Sequence, residues 1–246
     1  MTTPEHEQLA PRDRRPGEMT FVEHLEELRW RIVKSLAALA AGFGLAFVFA
    51  RTLMAWLSVP AGNVSFIFTS PAEYFMASLK VAFFAGLYLA LPVILYQLVA
   101  FVAPGLNPSE RRWVLPVVVG SFLLFTAGGA FAYYALLPAG LHFLLGFAPS
   151  TVAPMLSIGT YLGFAASLLF AAGFIFELPL VLLALSWIGV LSSAMLAKFR
   201  KVAIVLALAI GAIITPSADI FSQLMLAGAL VLLYELSVWL IRLTGK

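Results

Sequence analysis

The sequence predicts an all-α, polytopic membrane protein with six transmembrane helices, preceded by a short amphipathic helix on the cytoplasmic side. The first observation is composition: 62% of the 246 residues are hydrophobic, 11% are charged and the mean hydropathy is +1.01, far above soluble domains. The second is the recurrence of long apolar runs. The third is charge placement, because every lysine and arginine except Arg51 and Lys80 falls on one side of the membrane when six spans are drawn.

The N-terminal region changes character at Thr20. Residues 1–18 are polar, rich in proline and mixed in charge, and they predict a disordered cytoplasmic tail, whereas residues 19–246 predict a single membrane domain. Thr20 and Glu23 have the spacing of a capping box, and apolar residues then recur at helical intervals. An amphipathic helix is therefore expected to begin here and to lie at the membrane surface before the first span.

The six apolar spans that follow differ in length. The second and fourth supply ~45 Å of helix against a hydrocarbon core of ~30 Å, so they are expected to tilt, or to bend at Pro92 and Pro179. The fifth supplies only ~20 Å and would need a thinned bilayer or shelter from neighbouring helices. The excess of lysine and arginine places both termini in the cytoplasm. The predicted spans are residues 32–50, 72–102, 113–137, 159–188, 202–214 and 220–241.

Glu177 is the one ionisable side chain in the apolar run of residues 161–191. A carboxylate at membrane depth is costly, so it should face protein or water, and such residues are often functional. Pro179 lacks an N–H and crowds the carbonyl of Ile175, so the helix is expected to bend beside its acid and to form a polar concavity. The alternative is structural: Glu177 bonds to a neighbouring helix and holds the bundle together.

Acidic residues also occur on the predominantly basic side of the membrane. Glu27 lies in the stretch HLEELRWR on the surface helix, and Glu110 lies in the loop between the second and third spans. Carboxylates held in a fixed geometry bind guanidinium groups bidentately, which lysine cannot copy. The alternative is that each acid pairs with a nearby arginine, Arg31 or Arg112, on a solvated surface.

Two polar residues mark the start of the sixth span. Asp219 has the position of a helix N-cap, where a negative charge also suits the helix dipole, and capping alone explains it. Gln223 lies one turn inside the apolar helix, so its amide is expected to find a partner on another helix or subunit.

Motifs for enzyme chemistry are missing from the sequence. It contains no glycine-rich phosphate loop, no G-x-S-x-G and no H-E-x-x-H. It has no cysteine, and its three histidines are scattered. We therefore expect no enzymatic activity, no cofactor, no metal site and no nucleic-acid partner.

Several motifs in order resemble one family, TatC, the polytopic core of the twin-arginine protein translocase. The resemblance covers residues 19–241 and implies a concave, glove-like arrangement of six helices in the inner (cytoplasmic) membrane. It also implies transport driven by the proton-motive force without nucleotide hydrolysis. The motifs are HLEELRWR at 24–31, LPVILYQ at 91–97, FVAPGLNPSERR at 101–112, FELP at 176–179 and TPSADIFSQ at 215–223.

The resemblance also implies roles for individual residues. Glu27 and Glu110, with Arg29 and Phe101 nearby, would bind twin-arginine signal peptides of folded cargo proteins. Glu177 and Pro179 would form a polar site on the concave wall. The single-span subunits TatA and TatB are further implied partners, as are membrane lipid and other copies of this chain. The remaining positions are Thr215, Asp219 and Gln223 for docking of TatA and TatB, and Pro60 for the family's outer-loop proline.

A solute transporter is the competing interpretation from another class. Glu177 would then be the proton-coupling carboxylate and Pro179 a hinge. Such transporters often have two corresponding halves with broken helices, and the first three spans do not align with the last three.

Overall fold

The described part of the chain is almost entirely helical. The computed structural model describes residues 21–62, 64–102, 114–146, 155–214 and 220–243. A short 3-10 turn, Val59–Ala61, follows the second helix. The elements are α1 (Phe21–Val48), α2 (Ala50–Ser58), β1 (Phe66–Ile67), α3 (Glu73–Val102), α4 (Val114–Phe131), α5 (Leu137–Gly146), β2 (Leu156–Ser157), α6 (Ile158–Phe176), α7 (Leu178–Trp187), α8 (Ser193–Lys198), α9 (Arg200–Ile214) and α10 (Ile220–Leu243).

Five helical segments of the described residues are long and apolar enough to cross a membrane. The predicted fifth span coincides with α9, which has 15 residues and supplies about 22 Å of helix. That is shorter than a ~30 Å hydrocarbon core, so the count of six spans stays a prediction. The five segments are Val22–Val48, Glu73–Phe101, Val114–Gly146, Ile158–Trp187 and Ile220–Leu243.

The predicted surface helix is not a separate element. The structure joins it to the first span in the single helix α1, Phe21–Val48. No proline or glycine interrupts the sequence where the two were expected to part, so the backbone hydrogen bonds continue. The N-terminal acids therefore lie on the extension of a membrane helix. The tail of residues 1–18 lies outside the described residues.

The two prolines of the long spans have different effects. Helix α3 continues through Pro92 without a break. At Pro179 the fourth span is interrupted, because α6 ends at Phe176 and α7 begins at Leu178, with Glu177 between them. The sequence predicts a bend beside this acid, and the structure shows a break in the helix at the same place.

The third span is longer than predicted. A π-helical turn, Ala132–Leu136, joins α4 to α5, and the N–H of Leu137 bonds to the carbonyl of Ala132. The next residue, Pro138, has no N–H and would crowd the carbonyl four residues before it in a regular helix. The wider π turn accommodates this proline, so the helix continues beyond the predicted end at residue 137.

Glycines bring the helix backbones close together. Helices α1 and α3 pack along each other, and a Cβ on Gly42 would stand 2.5 Å from the carbonyl oxygen of Gly86. At the crossing of α4 and α6, a Cβ on Gly128 would stand 2.5 Å from the carbonyl oxygen of Ala172. Small residues at helix contacts are typical of membrane bundles. The main core includes Leu136, Leu137, Leu162, Ala165, Ala172 and Leu226.

A short parallel strand pair was not predicted. Phe66 pairs with Leu156, and Ile67 pairs with Ser157. Glu73, at the start of α3, holds the same region together. Its carboxylate accepts hydrogen bonds from the backbone N–H and the hydroxyl of Thr69, at 2.5 and 2.7 Å. It also accepts the Ser157 hydroxyl and, at 2.9 Å, the N–H of Gly159.

Candidate functional site

Glu27 and Glu177, the two sequence-predicted site glutamates among the described residues, lie in separate parts of the structure. Glu27 lies near the start of α1, at the end of the bundle where α3 finishes. We call this the Glu27 end, and we call the opposite end, which carries β1, β2 and Glu73, the Glu73 end. Glu177 lies between α6 and α7.

Arg31 fixes one oxygen of the Glu27 carboxylate. Its Nε donates to Glu27 Oε1 at 3.1 Å, and its Nη2 donates to the same oxygen. Its Nη1 donates to the side-chain oxygen of Gln97 on α3 at 3.4 Å. The predicted i,i+4 ion pair is therefore confirmed, and it also connects α1 to α3. The carboxylate is held in place by a residue that is itself anchored on a second helix.

The second oxygen of Glu27 has no hydrogen-bond partner in the described part of the chain. Glu27 Oε2 is buried and accepts no hydrogen bond from the described residues, and His24 Nδ1 lies 3.8 Å from it, beyond hydrogen-bond distance. A buried acceptor without a donor is energetically unfavourable, so this oxygen suits an incoming N–H group. A guanidinium group provides donors of that kind in a fixed, planar arrangement.

His24 connects Glu27 to Phe101. Its ring stacks on the Phe101 ring with a centroid distance of 4.3 Å and an interplanar angle of 14°. The structure thus brings Glu27 and Phe101 into one cluster, as their predicted shared role requires. Arg29 is exposed on the same helix, and Glu110 lies outside the described residues. We call His24, Glu27, Arg31, Gln97 and Phe101 the Glu27 cluster.

His24 and Gln97 were missed as site residues by sequence reasoning. Each nevertheless lies within a motif that carried the family resemblance, HLEELRWR for His24 and LPVILYQ for Gln97. The i,i+3 spacing of His24 and Glu27 was an available signal, because residues three apart share a helix face. The approach of Gln97 to Arg31 depends on packing between two helices and has no local signal.

The backbone around Glu177 turns tightly. The N–H of Glu177 donates to the carbonyl of Phe174 at 3.1 Å, and the carbonyl of Glu177 accepts from Leu180 and Val181 at 3.0 Å. Pro179, buried in the next turn, is the second residue of α7, where its missing N–H costs no hydrogen bond. The chain therefore restarts a helix directly after the acid.

Only one of the two Glu177 carboxyl oxygens has a hydrogen-bond partner among the described residues. It forms a hydrogen bond with the hydroxyl of Ser121 on α4, a buried residue that sequence reasoning missed. Its Oε1 is buried and has no hydrogen-bond partner among the described residues. One oxygen is thus anchored to the bundle, and the other can meet a polar group from outside the described chain or carry a proton.

Of the three predicted docking residues, Gln223 is the one that the structure describes. Its Nε2 donates to the carbonyl of Leu208 at 3.2 Å, so the amide finds its partner on α9 of the same chain. Thr215 and Asp219 lie outside the described residues. Pro60 lies in the 3-10 turn after α2 and is partly buried. Within the described ranges, no three His, Cys, Asp or Glu side chains gather as metal ligands would.

Comparison with known proteins gives consistent matches over nearly the whole chain. Residues 23–228 match the family model for the Sec-independent protein translocase protein TatC. The chain is 42% identical to the Sec-independent protein translocase protein TatC of Synechocystis sp. over 245 residues, covering 100% of this chain and 95% of that one. It is 42% identical to TatC of Aquifex aeolicus over 234 residues, covering 93% and 97%.

A solved structure agrees in fold as well as in sequence. The crystal structure of a twin-arginine translocase receptor, TatC, superposes with a TM-score of 0.79 at 41% identity, covering 91% of this chain and 100% of that one. A second crystal structure of that receptor, in the detergent DDM, gives a TM-score of 0.80.

Proposed function

The chain belongs to the TatC family of Sec-independent protein translocase proteins, and we propose that it is the receptor for twin-arginine signal peptides and the core subunit of the translocase. It is a multi-pass membrane protein and a component of protein transport. The comparisons match protein translocases, and they favour this function over solute transport.

The Glu27 cluster carries the proposal. Arg31 holds Glu27 through one oxygen, and the other oxygen is buried with no donor from the described ranges of the chain. An arginine of the signal peptide would supply N–H donors to this oxygen, and the stacked rings of His24 and Phe101 offer a flat apolar surface beside it. Arg29, on the same helix, and Glu110, which follows Phe101 by nine residues in the sequence, complete the proposed binding residues.

The remaining parts of the proposal concern transport. We place the Glu27 end in the cytoplasm and both termini with it, in the inner membrane, because most lysines and arginines belong to that side. Glu177 and Pro179 would form the intramembrane polar site, and Thr215, Asp219 and Gln223 would dock TatA and TatB. Transport would draw on the proton-motive force, and further copies of the chain would join the receptor complex.

The direct test is peptide binding to the purified protein in detergent. A labelled twin-arginine signal peptide is compared with the same peptide carrying two lysines. We expect the arginine peptide to bind about tenfold more tightly or better, since loss of one charge-assisted bond corresponds to ~1.4 kcal/mol or more. Glu27→Gln and Glu110→Gln should remove this preference.

Glu26→Gln is the matched control. Glu26 is an exposed carboxylate next to Glu27 on the same helix, so its substitution changes net charge equally without touching the cluster. Equal binding of both peptides to the wild-type protein, or a preference that survives in both Glu27→Gln and Glu110→Gln, would contradict the proposal.

A further inference from the structure

Lys80 is a cation inside a membrane-spanning helix. It lies seven residues after Glu73, the first residue of α3, which places it about 10 Å along the helix from the Glu73 end. Its side chain is exposed, so other parts of the described chain do not cover it. A charged group at this depth is costly unless it is paired or reaches the membrane surface.

The described chain supplies no counter-ion for Lys80. Within the described part of the chain, Lys80 forms no ion pair with any carboxylate. The acid two turns before it, Glu73, already accepts four hydrogen bonds from Thr69, Ser157 and Gly159. The charge of Lys80 is therefore available to an external anion.

Lys80 lines an open cavity of about 730 Å³ between α3, α6 and the end of α9. Its Nζ lies 3.9 Å from the point where a Cβ on Gly163 would stand. The absence of a side chain at Gly163 thus leaves room beside the ammonium group. The exposed hydroxyls of Thr160 and Ser167 fall on the same face of α6, three and four residues from Gly163. The other lining residues include Phe84, Phe164, Leu168, Ala171 and Ile214.

The direction in which the Lys80 side chain points indicates the depth in the membrane at which its ligand lies. Side chains on a helix lean towards its N-terminus, so Lys80 leans towards the Glu73 end and the nearer membrane surface. The phosphates of the leaflet on that side lie at this surface. A phosphodiester held by the ammonium and hydroxyl groups would leave an acyl chain against the apolar part of the cavity.

We propose that this cavity is a phospholipid site, in which Lys80, Thr160 and Ser167 bind the phosphate of a lipid from the leaflet at the Glu73 end. The site is independent of peptide recognition, because it lies at the opposite end of the bundle from the Glu27 cluster. Its ligand class is an anionic phospholipid such as phosphatidylglycerol.

Native mass spectrometry of the purified protein, titrated with phosphatidylglycerol in detergent, tests the proposal. We expect Lys80→Gln to weaken the tightest lipid-binding step about tenfold, the order expected when a charge-assisted contact is lost. Gly163→Leu keeps the charge but fills the cavity, and it should weaken the same step. Lys201→Gln removes one positive charge at the other end and should leave that step unchanged.

Diacylglycerol with the same acyl chains separates phosphate recognition from chain burial, and it should bind weakly to the wild-type protein. Inorganic phosphate should not displace the lipid, because it lacks the acyl chain. Wild-type affinity in Lys80→Gln, equal loss in Lys201→Gln, equal binding of diacylglycerol or displacement by inorganic phosphate would each overturn the proposal.

If Lys80→Gln does not fold, Gly163→Leu and the double change Thr160→Val and Ser167→Ala decide the matter. Loss of tight lipid binding in either folded variant supports the site, and retention in both overturns it. Retention of lipid in Lys80→Gln, together with loss of a co-purifying single-span protein, would also overturn it and assign the lysine to a partner helix.

Discussion

Two features of Glu177, taken together, distinguish it from the other acidic residues of the described chain. It stands at a break in the helix, and one of its carboxyl oxygens is buried without a hydrogen-bond partner among the described residues. Ser121 holds the carboxyl group from the neighbouring helix. A purely structural acid would be expected to have both oxygens satisfied, so the orphan oxygen favours a functional role.

We predict that Glu177→Gln leaves signal-peptide binding intact and lowers cargo export. Glutamine keeps the shape and one acceptor oxygen for Ser121 but cannot carry a charge or exchange a proton. The expected loss of export is about tenfold, the factor that ~1.4 kcal/mol of interaction produces. Transport of a cargo protein into membrane vesicles that lack the wild-type protein measures this loss. Peptide binding is measured on the same preparation.

Ser121→Ala is the companion variant. It removes the anchoring hydroxyl but retains the carboxylate, so it should affect thermal stability more than export. Normal export in Glu177→Gln would return the acid to a structural role.

Residues whose roles follow from their own chain neighbours were predictable. The break at Glu177 follows from Pro179, and the Glu27–Arg31 pair follows from helical spacing. The partners from other helices were not predictable. Gln97 meets Arg31 across 66 residues of sequence, and Ser121 meets Glu177 through packing of two separate helices. Such contacts depend on which helix faces touch, and local periodicity carries no information about that.

The packing of α1 against α3 depends on two glycines that face each other. A Cβ on Gly42 would meet the backbone of Gly86, which cannot move aside as a flexible side chain would. The close approach gives these two long helices extensive van der Waals contact, the main source of helix association in a membrane.

We predict that Gly42→Ala destabilises the protein by about 1–3 kcal/mol, because the added methyl group forces the two backbones apart. Thermal unfolding in detergent measures the change as a lower Tm. Gly44→Ala is the matched control, since it lies on the same helix and has no atom within 4 Å of its added Cβ. Equal Tm values for the two variants would show that the close contact does not contribute to stability.

The positions of the long helices were largely predictable, and their ends were less so. Apolar length located α3, the combined segment of α6 and α7, and α10 to within a few residues of the observed bounds. The continuation of the third span through a π turn was not predictable, because the sequence pattern near Pro138 reads as a helix end. The strand pair could not be predicted either, because two-residue strands are too short to show an alternating apolar and polar pattern.

The side of the membrane that the C-terminus occupies depends on whether α9 crosses the bilayer. Its 15 residues would cross only a bilayer that is locally thin or sheltered by neighbouring helices. The chain has no cysteine, so single cysteines can be placed without background labelling.

We predict that cysteines replacing Lys198 and Lys246 are labelled by a membrane-impermeant maleimide from the same side, and that a cysteine replacing Pro71 is labelled from the other. This is the result for six spans, because α9 and α10 then return the chain to its starting side. With five spans, Lys198 and Lys246 would be labelled from opposite sides. Labelling in intact cells and in inverted vesicles distinguishes the two.

The hydrogen bonds of Glu73 also depend on the progress of synthesis and membrane insertion. Its partners Ser157 and Gly159 lie 84 and 86 residues further along the chain. At ~5–20 residues per second, the ribosome needs about 4–17 s to deliver them. The segment Val114–Gly146 must first cross the bilayer in the return direction. This crossing brings Ser157 and Gly159 to the side of the membrane where Glu73 lies. The bonds from Ser157 and Gly159 to Glu73 therefore form only after the first three helical segments have crossed the bilayer, and they record that insertion has succeeded to this point.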